Sequence, residues 1–474
     1  SNDGHGLSSP NAQSIIQDSF GNIWIGNYRG GIDFISHSQP LFNTITYQTE
    51  KYEHNCNKQV WGLWADNNRQ IWLGGEGELG IYKEGKKIEL IPLNQCHLNK
   101  QTHVSVFHQD KHGDLWLGTH KHGVAIYHPD TKRITCIGND KDGSLDILCF
   151  YEDTNGTMWI GTQSGLYSAY NRELTQEDKI NRLLTNKGVR SILKDKNGKL
   201  WIGAKGLFLF DEKGQLFRKL TTEQSFPIRS VNYLMEDSRK RIWVGTNDGI
   251  LVFRDASHLE DYSHYGTKEG LQNANVRAIQ EDHDGTIWLS TNAGISRLDE
   301  KTKTFYNYNH YDGVPMGDFM DGSTCISADG ILYFGSQGGA CYFTPSKVNS
   351  IRKPAPVTIT QFSIYDKQTE SKDAEHPLPL TDTNIQLPYN QNTFKISFNV
   401  LDYAVSSQVE FSYILEGLEN IWYNTQGEKQ IIFRNIPPGH YTFKVKTRLR
   451  NQEWEKDEAT LHIRITPPFW LSWY

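Results

Sequence analysis

The chain has 474 residues, about three times a common single-domain length, so one large repetitive domain with a smaller companion is the first expectation. Lys+Arg 49 against Asp+Glu 55 leaves a net charge of -6, which argues against a surface built to neutralise nucleic-acid phosphates. Apolar content of only 37%, with 13 Trp and 23 Tyr, favours many short strands over long amphipathic helices and predicts an all-β protein.

No apolar secretion signal follows Ser1, so the sequence is expected to begin at a mature or truncated end, and no window approaches a bilayer-spanning run. Six cysteines, Cys56, Cys96, Cys136, Cys149, Cys325 and Cys341, are scattered without a C-x-x-C pair. That spacing argues against a zinc site or a dense disulfide framework and leaves buried free thiols as the expectation.

One pattern recurs along the chain: GNIWIG at Gly21, RQIWLG at Arg69, GDLWLG at Gly113, GTMWIG at Gly156, GKLWIG at Gly198, KRIWVG at Lys240, GTIWLS at Gly285 and ILYFG at Ile331. Its aromatic anchors, Trp24, Trp72, Trp116, Trp159, Trp201, Trp243, Trp288 and Tyr333, are 48, 44, 43, 42, 42, 45 and 45 residues apart. A period in the low forties with four strand-like pieces per unit predicts propeller blades. Before the Trp strand, Asp-x-x-Gly supplies a hairpin turn, with Asp capping its own backbone and Gly taking the positive φ. A calcium loop is not read here, because the spaced carboxylates and bidentate Glu of such loops are missing. The repeated indoles are expected to fill the contacts between blades.

The last unit ends near Phe343 and runs into PSKVNSIRKPAPV, where proline forbids a normal fourth strand. LFNTITYQ, Leu41 to Gln48, can fill that place. The reading is therefore a seven-bladed β-propeller over residues 40–350, with 1–39 a leftover blade of something upstream; an eight-bladed ring is the alternative. After the linker Lys353 to Pro356, the strands VTITQFSIYD, NTFKISFNVLD, VEFSYILEG, KQIIFRNI, HYTFKVKTRL and ATLHIRIT predict an Ig-like or fibronectin-like β-sandwich over 357–466. The end, 467–474, gathers Phe469, Trp470, Trp473 and Tyr474, side chains that favour the lipid headgroup level.

Antiparallel alternation puts the loop after each Trp strand on the ring face where the chain enters each blade. The ligand-binding candidates on that face are Glu76, Glu78, His120, His122, Arg190, Arg229, Asn232, Asp248, Arg277 and Asp318, with Asn247, Asn292 and Gln337 beside them. A sugar or anionic oligosaccharide needs such forked donors and acceptors. No G-x-S-x-G, H-E-x-x-H or phosphate-binding glycine loop is present, so no catalytic residue, metal or cofactor is assigned. Glu76, Glu78 and Asp318 would serve a polysaccharide lyase or glycosidase, which together with a protein-interaction propeller is the alternative reading.

The run LDY at Leu401, FSYILEGLENIW at Phe411, IPPGHYTFKVKTR at Ile436 and ITPPFW at Ile465 resembles the Y_Y_Y domain that closes the sensor region of hybrid two-component systems of gut Bacteroidetes. The upstream units resemble that family's regulator-propeller repeats. Phe411 and Phe433 stand where the family often has tyrosine, so no hydroxyl role is carried over there. The resemblance implies the periplasmic part of an inner-membrane protein with two consecutive propellers, a following transmembrane helix, a histidine kinase, receiver domains and a helix-turn-helix output. It also implies a homodimer that detects an oligosaccharide and controls glycan-utilisation genes.

Overall fold

A computed structural model describes residues 7–37, 40–46, 59–95, 98–137, 145–184, 188–211, 214–222, 226–348, 356–365, 375–378, 383–402, 409–425, 427–449 and 453–468. Cys56, Cys96, Tyr47 and Gln48 of the expected closing strand, most of the linker, and Phe469, Trp470, Trp473 and Tyr474 lie outside the described residues. The chain divides into two compact units, Pro40–Asn349 and Ser1–Gln39 with Ser350–Tyr474. No helix among the described residues is long and apolar enough to cross a membrane.

In the first unit six repeats each fold into one antiparallel four-stranded sheet whose spatial order follows chain order, and the last repeat supplies three strands of a seventh. The sheets span 62–92, 103–137, 147–176, 191–220, 231–265, 276–308 and 319–343, here called blades 1 to 7. Blade 7 is completed by Asn43–Ile45, which pairs with Ala340, Cys341 and Tyr342. The first strands of successive blades touch one another, and Phe319–Ile326 of blade 7 touches Gly62–Ala65 of blade 1. One apolar cluster fills each of the seven junctions, including the one where Tyr333 and Ile45 meet Val60 and Leu63.

The repeated indoles occupy these junctions. Trp72 meets Tyr127, Trp116 meets Phe150, Trp201 meets Phe253 and Trp288 meets Phe343, each on the next blade, with ring centroids 4.7–6.1 Å apart. A buried indole N–H needs an acceptor, and the turn supplies it. Asp282 Oδ1 accepts the backbone N–H of Asp284 and Thr286, while its Oδ2 accepts the Trp288 indole N–H at 2.8 Å. The same indole bond joins Asp66 to Trp72, Asp110 to Trp116, Asp195 to Trp201 and Asp237 to Trp243. Blade 3 departs from this pattern, since Asp153 Oδ2 accepts from Lys194 of blade 4 at 3.2 Å and Trp159 is only half-buried.

The second unit holds the sandwich. One sheet runs Glu375–Leu378, Val357–Tyr365, Phe394–Val400, Gln430–Phe433; the other runs Asn384–Pro388, Glu458–Thr466, Gly439–Leu449, Val409–Glu416, Tyr423–Asn424. Phe362, Phe394, Phe398, Phe411, Phe443 and Ile463 lie in the core between them. Three of these strands escape the sequence reading because they are short, and Asn384–Pro388 pairs parallel to Glu458–Thr466 at an edge, where its proline is tolerated. The same unit holds a three-stranded sheet, Ala12–Gln17, Ile23–Asn27 and Gly31–Ile35, with Asp18 bonded to the Trp24 indole. Its first strand is exposed throughout, and Ile15, Ile16 and Ile32 are 66–70% exposed.

The described cysteines are free thiols, as their spacing implies. Cys341 is buried, but Cys136, Cys149 and Cys325 are half-buried, and none of these four is in a disulfide. Burial raises the thiols of Cys149, Cys325 and Cys341, and it pushes Cys149 up to about 12.

Candidate functional site

The geometry of the site begins with a glycine. In the Trp strand of each of blades 1 to 5, and of blade 7, a glycine follows the aromatic anchor by two residues, and the next blade's first strand presses on it. A Cβ at Gly74 would lie 2.1 Å from the Val104 carbonyl oxygen, and one at Gly161 2.6 Å from that of Val189. Opposite this glycine the first strand of the same blade bulges. Val104 pairs with Thr119 and Val106 with Gly118, leaving Ser105 unpaired. Leu148, Asn232 and Arg277 are left unpaired in the same way in blades 3, 5 and 6. In blade 7 the gap widens to residues 320–323. A bulge re-aims the extra side chain.

The equivalent positions in blades 1 and 4 are Trp61 and Arg190, each just before the residue paired with the glycine. Trp61, Ser105, Leu148, Arg190 and Arg277 all line one cavity of about 270 Å³, together with His120, Asp146, Ile147, Asp318, Phe319, Met320, Asp321 and Gln337. Matching register positions, bulged in blades 2, 3, 6 and 7 and unbulged in blades 1 and 4, thus aim different side chains into one space.

Several of these side chains are held by neighbours. Asp146 Oδ1 lies 3.0 Å from His120 Nδ1 and accepts the Lys121 N–H. Arg277 donates from Nε to Asn292 Oδ1 at 2.7 Å and from Nη1 to Asp321 Oδ1 at 2.8 Å. Arg190 Nη1 donates to Ser230 Oγ at 2.7 Å and to Asn232 Oδ1 at 3.4 Å. The Trp61 indole donates to Gln59, and its ring stands 6.0 Å from the His103 ring and 5.8 Å from the His120 ring. Burial holds His103 below the ordinary histidine value despite Glu76 nearby, so its ring is neutral at pH 7.

Of the residues expected from sequence, His120, Arg190, Arg277 and Asp318 come together here, with Gln337. Asn292 contributes indirectly by fixing Arg277. Asn232 is buried and donates to Asn275 Oδ1 and the Val276 carbonyl, which turns its own oxygen toward Arg190. The others stand apart. Glu76 is 3.9 Å from His103, Glu78 keeps a buried carboxylate oxygen without a partner, and His122 bonds Asn99 and the His120 carbonyl. Arg229, Asn247 and Asp248 are exposed.

Trp61, Ser105, Asp146, Leu148, Met320 and Asp321 are the residues that sequence reasoning missed. Register against the repeated W-x-G would have found the bulged positions, whereas loop polarity alone passed over Trp61 and Leu148. Among the described residues no group of three or more His, Cys, Asp or Glu side chains is placed to hold a metal.

Residues 402–466 match the Y_Y_Y domain, and residues 6–29, 143–164, 183–206, 225–248 and 270–293 match the two-component regulator propeller repeat. The extracellular domain of a hybrid two-component system from B. thetaiotaomicron is 37% identical, with a TM-score of 0.88 over 98% of this chain and 62% of that one. A second such domain from the same organism is 20% identical and shares the fold, with a TM-score of 0.55 over 98% of this chain and 64% of that one. A histidine kinase of Formosa agariphila is 26% identical over 218 residues, which are 45% of this chain and 16% of the kinase. The chain spans less than two thirds of each of these relatives. Its repeats match the two-component regulator propeller and its terminal sandwich the Y_Y_Y domain, and along nearly its whole length the chain is similar in sequence and fold to the extracellular domain of a hybrid two-component system.

Proposed function

We propose that this chain is the ligand-sensing part of a membrane-bound hybrid two-component protein, and that its ligand is an oligosaccharide taken up at the cavity of the propeller. The observation that carries this reading is the cavity's composition. An indole and two guanidinium groups stand at matching register positions of blades 1, 4 and 6, with the carboxylates of Asp146, Asp318 and Asp321 around them. An aromatic surface for a sugar ring, surrounded by donors and acceptors for hydroxyl groups, is the chemistry a saccharide requires. About 270 Å³ is small for a long chain, so the cavity takes one sugar unit and the rest of the oligosaccharide lies outside.

The reading places the chain in the periplasm, with a transmembrane helix, a kinase and an output module beyond it, working as a homodimer that regulates glycan-use genes. Residues 1–39 are the last blade of an upstream propeller in this proposal. Signalling requires that the ligand bind one dimer arrangement better than another, since equal affinity shifts nothing. The sandwich transmits the difference as a change of spacing. Calorimetric titration of the chain with defined oligosaccharides tests the binding step. A ligand that binds the parent and not Trp61→Ala supports the cavity as its site, whereas binding unaffected by that change moves the site elsewhere.

A further inference from the structure

Resting on the sugar-binding reading above, we infer that the sugar unit entering the propeller cavity is anionic, carrying a carboxylate or sulfate group that is held by Arg190. The inference comes from which charges in the cavity are already satisfied. Arg277 is paired with Asp321 at 2.8 Å. Asp146 is occupied by His120 and by the Lys121 N–H. Arg190 differs from both. Its partners are neutral oxygens, Ser230 Oγ and Asn232 Oδ1, both reached from Nη1, and among the described residues it makes no ion pair.

That arrangement is fixed. The Asn232 amide donates both to Asn275 Oδ1 at 3.0 Å and to the Val276 carbonyl at 2.8 Å, so its oxygen is the atom left to meet Arg190. The Arg190 backbone N–H is anchored to the Gly203 carbonyl at 2.9 Å. A half-buried guanidinium steadied by neutral groups, with Nε and Nη2 uncommitted, is organised for a forked contact with a planar or tetrahedral anion. Asp318, which lines the cavity without an ion pair among the described residues, is an acceptor for the sugar's hydroxyl groups. It does not cancel the preference, because hydroxyl donors on the same sugar satisfy it while the acid group faces Arg190.

The test is calorimetric titration of the 474-residue chain with three sets of probes: uronate-terminated oligosaccharides, sulfated oligosaccharides, and neutral oligosaccharides of matched linkage. One set of acidic probes is expected to bind at least tenfold more tightly than its neutral counterpart, and which set does so tells carboxylate from sulfate. Arg190→Met should remove that preference, bringing the affinity of the acidic probe down to that of its neutral counterpart measured on the same variant. Arg190→Lys should restore only part of it, since the charge returns without the fork. Arg254→Gln, far out on blade 5, should change nothing.

Acidic affinity should also fall as salt rises from 50 to 300 mM, a readout that needs no variant and stands even where Arg190→Met fails to fold. Equal binding of acidic and neutral sugars, or a preference that survives Arg190→Met, overturns the inference and leaves the sugar-binding reading standing. A folded chain that binds none of the three sets overturns both.

Discussion

The bond between the turn aspartate and the repeated indole is the part of this architecture whose energetic role can be tested most sharply, and Asp282→Ala is the perturbation. Asp282 is 6% exposed and Trp288 fully buried. The substitution removes three acceptor contacts at once, those from the Asp284 and Thr286 amides and from the Trp288 indole. A buried donor bonded to a charged group contributes roughly 1.5–3 kcal/mol, and each turn amide, half-buried and able to recover some water, about 0.5–1. The expected loss is about 2.5–5 kcal/mol. For a ring of roughly 310 residues, with an unfolding entropy of about 2.1 cal/mol/K per residue, this lowers the propeller's Tm by about 4–8 °C.

Scanning calorimetry is the suitable assay, because two units need not melt together and a single two-state value would mislead. Trp288→Phe removes the donor while keeping much of the contact with Phe343. In the double variant the Asp282 effect should shrink by about 1.5–3 kcal/mol, the coupling of the pair. A coupling below about 0.5 kcal/mol, or an Asp282→Ala shift under about 2 °C, would refute the claim that the carboxylate holds the indole in place.

Other predictions follow from the same structure. His103 and His108 are both held below the ordinary histidine value by burial, against the pull of Glu76 and Glu152 respectively. Their contribution to stability is therefore full above about pH 6.5 and is lost as pH falls through the lowered folded values; His103→Asn with His108→Asn should flatten the fall in Tm between pH 7 and pH 5. Cys149, pushed up to about 12 by burial, should resist iodoacetamide at pH 8 until the propeller unfolds, as peptide mass mapping would read. Ile15→Glu or Ile32→Glu, at positions exposed in this chain, should leave its Tm within about 1 °C and lower that of a longer protein carrying the upstream propeller; equal small effects in both would argue against a covered blade. In the proposed dimer of the longer protein, a crosslink that fixes the spacing of the two sandwiches should lock the proposed kinase output, and an unchanged ligand response would refute transmission through that domain.

Much of this architecture is legible from periodicity because propeller physics is local. The indole spacing marks each blade, and the Asp-x-x-Gly turn marks its hairpin, down to the role of Asp as a backbone cap. The second use of that carboxylate, as acceptor for an indole six residues on, depends on how the turn folds back and is not visible in spacing alone. The site divides along the same line. His120, Arg190, Arg277 and Asp318 are legible because the strand order sends them to one face. Leu148 is not, because its exposure to the cavity depends on a bulge that one residue of register shift creates, and Trp61 is not, because it stands one residue ahead of the first pair of its strand, outside any polar loop. Glu78 shows the opposite error: polar and near the opening in sequence, it turns a carboxylate oxygen into the protein. In the sandwich, Asn384–Pro388 joins a sheet edge only through a partner some eighty residues later, a pairing no local pattern encodes.

The central claim is that this propeller's own cavity binds sugar. Its most direct test is calorimetric titration, with one oligosaccharide panel, of three proteins side by side: this chain, its Trp61→Ala variant and the longer extracellular region. The account predicts a ligand that binds this chain and the longer region alike, weakened by about tenfold or more, roughly 1.4 kcal/mol, when Trp61 is removed. Binding by the longer region alone would contradict it and place the site outside this propeller.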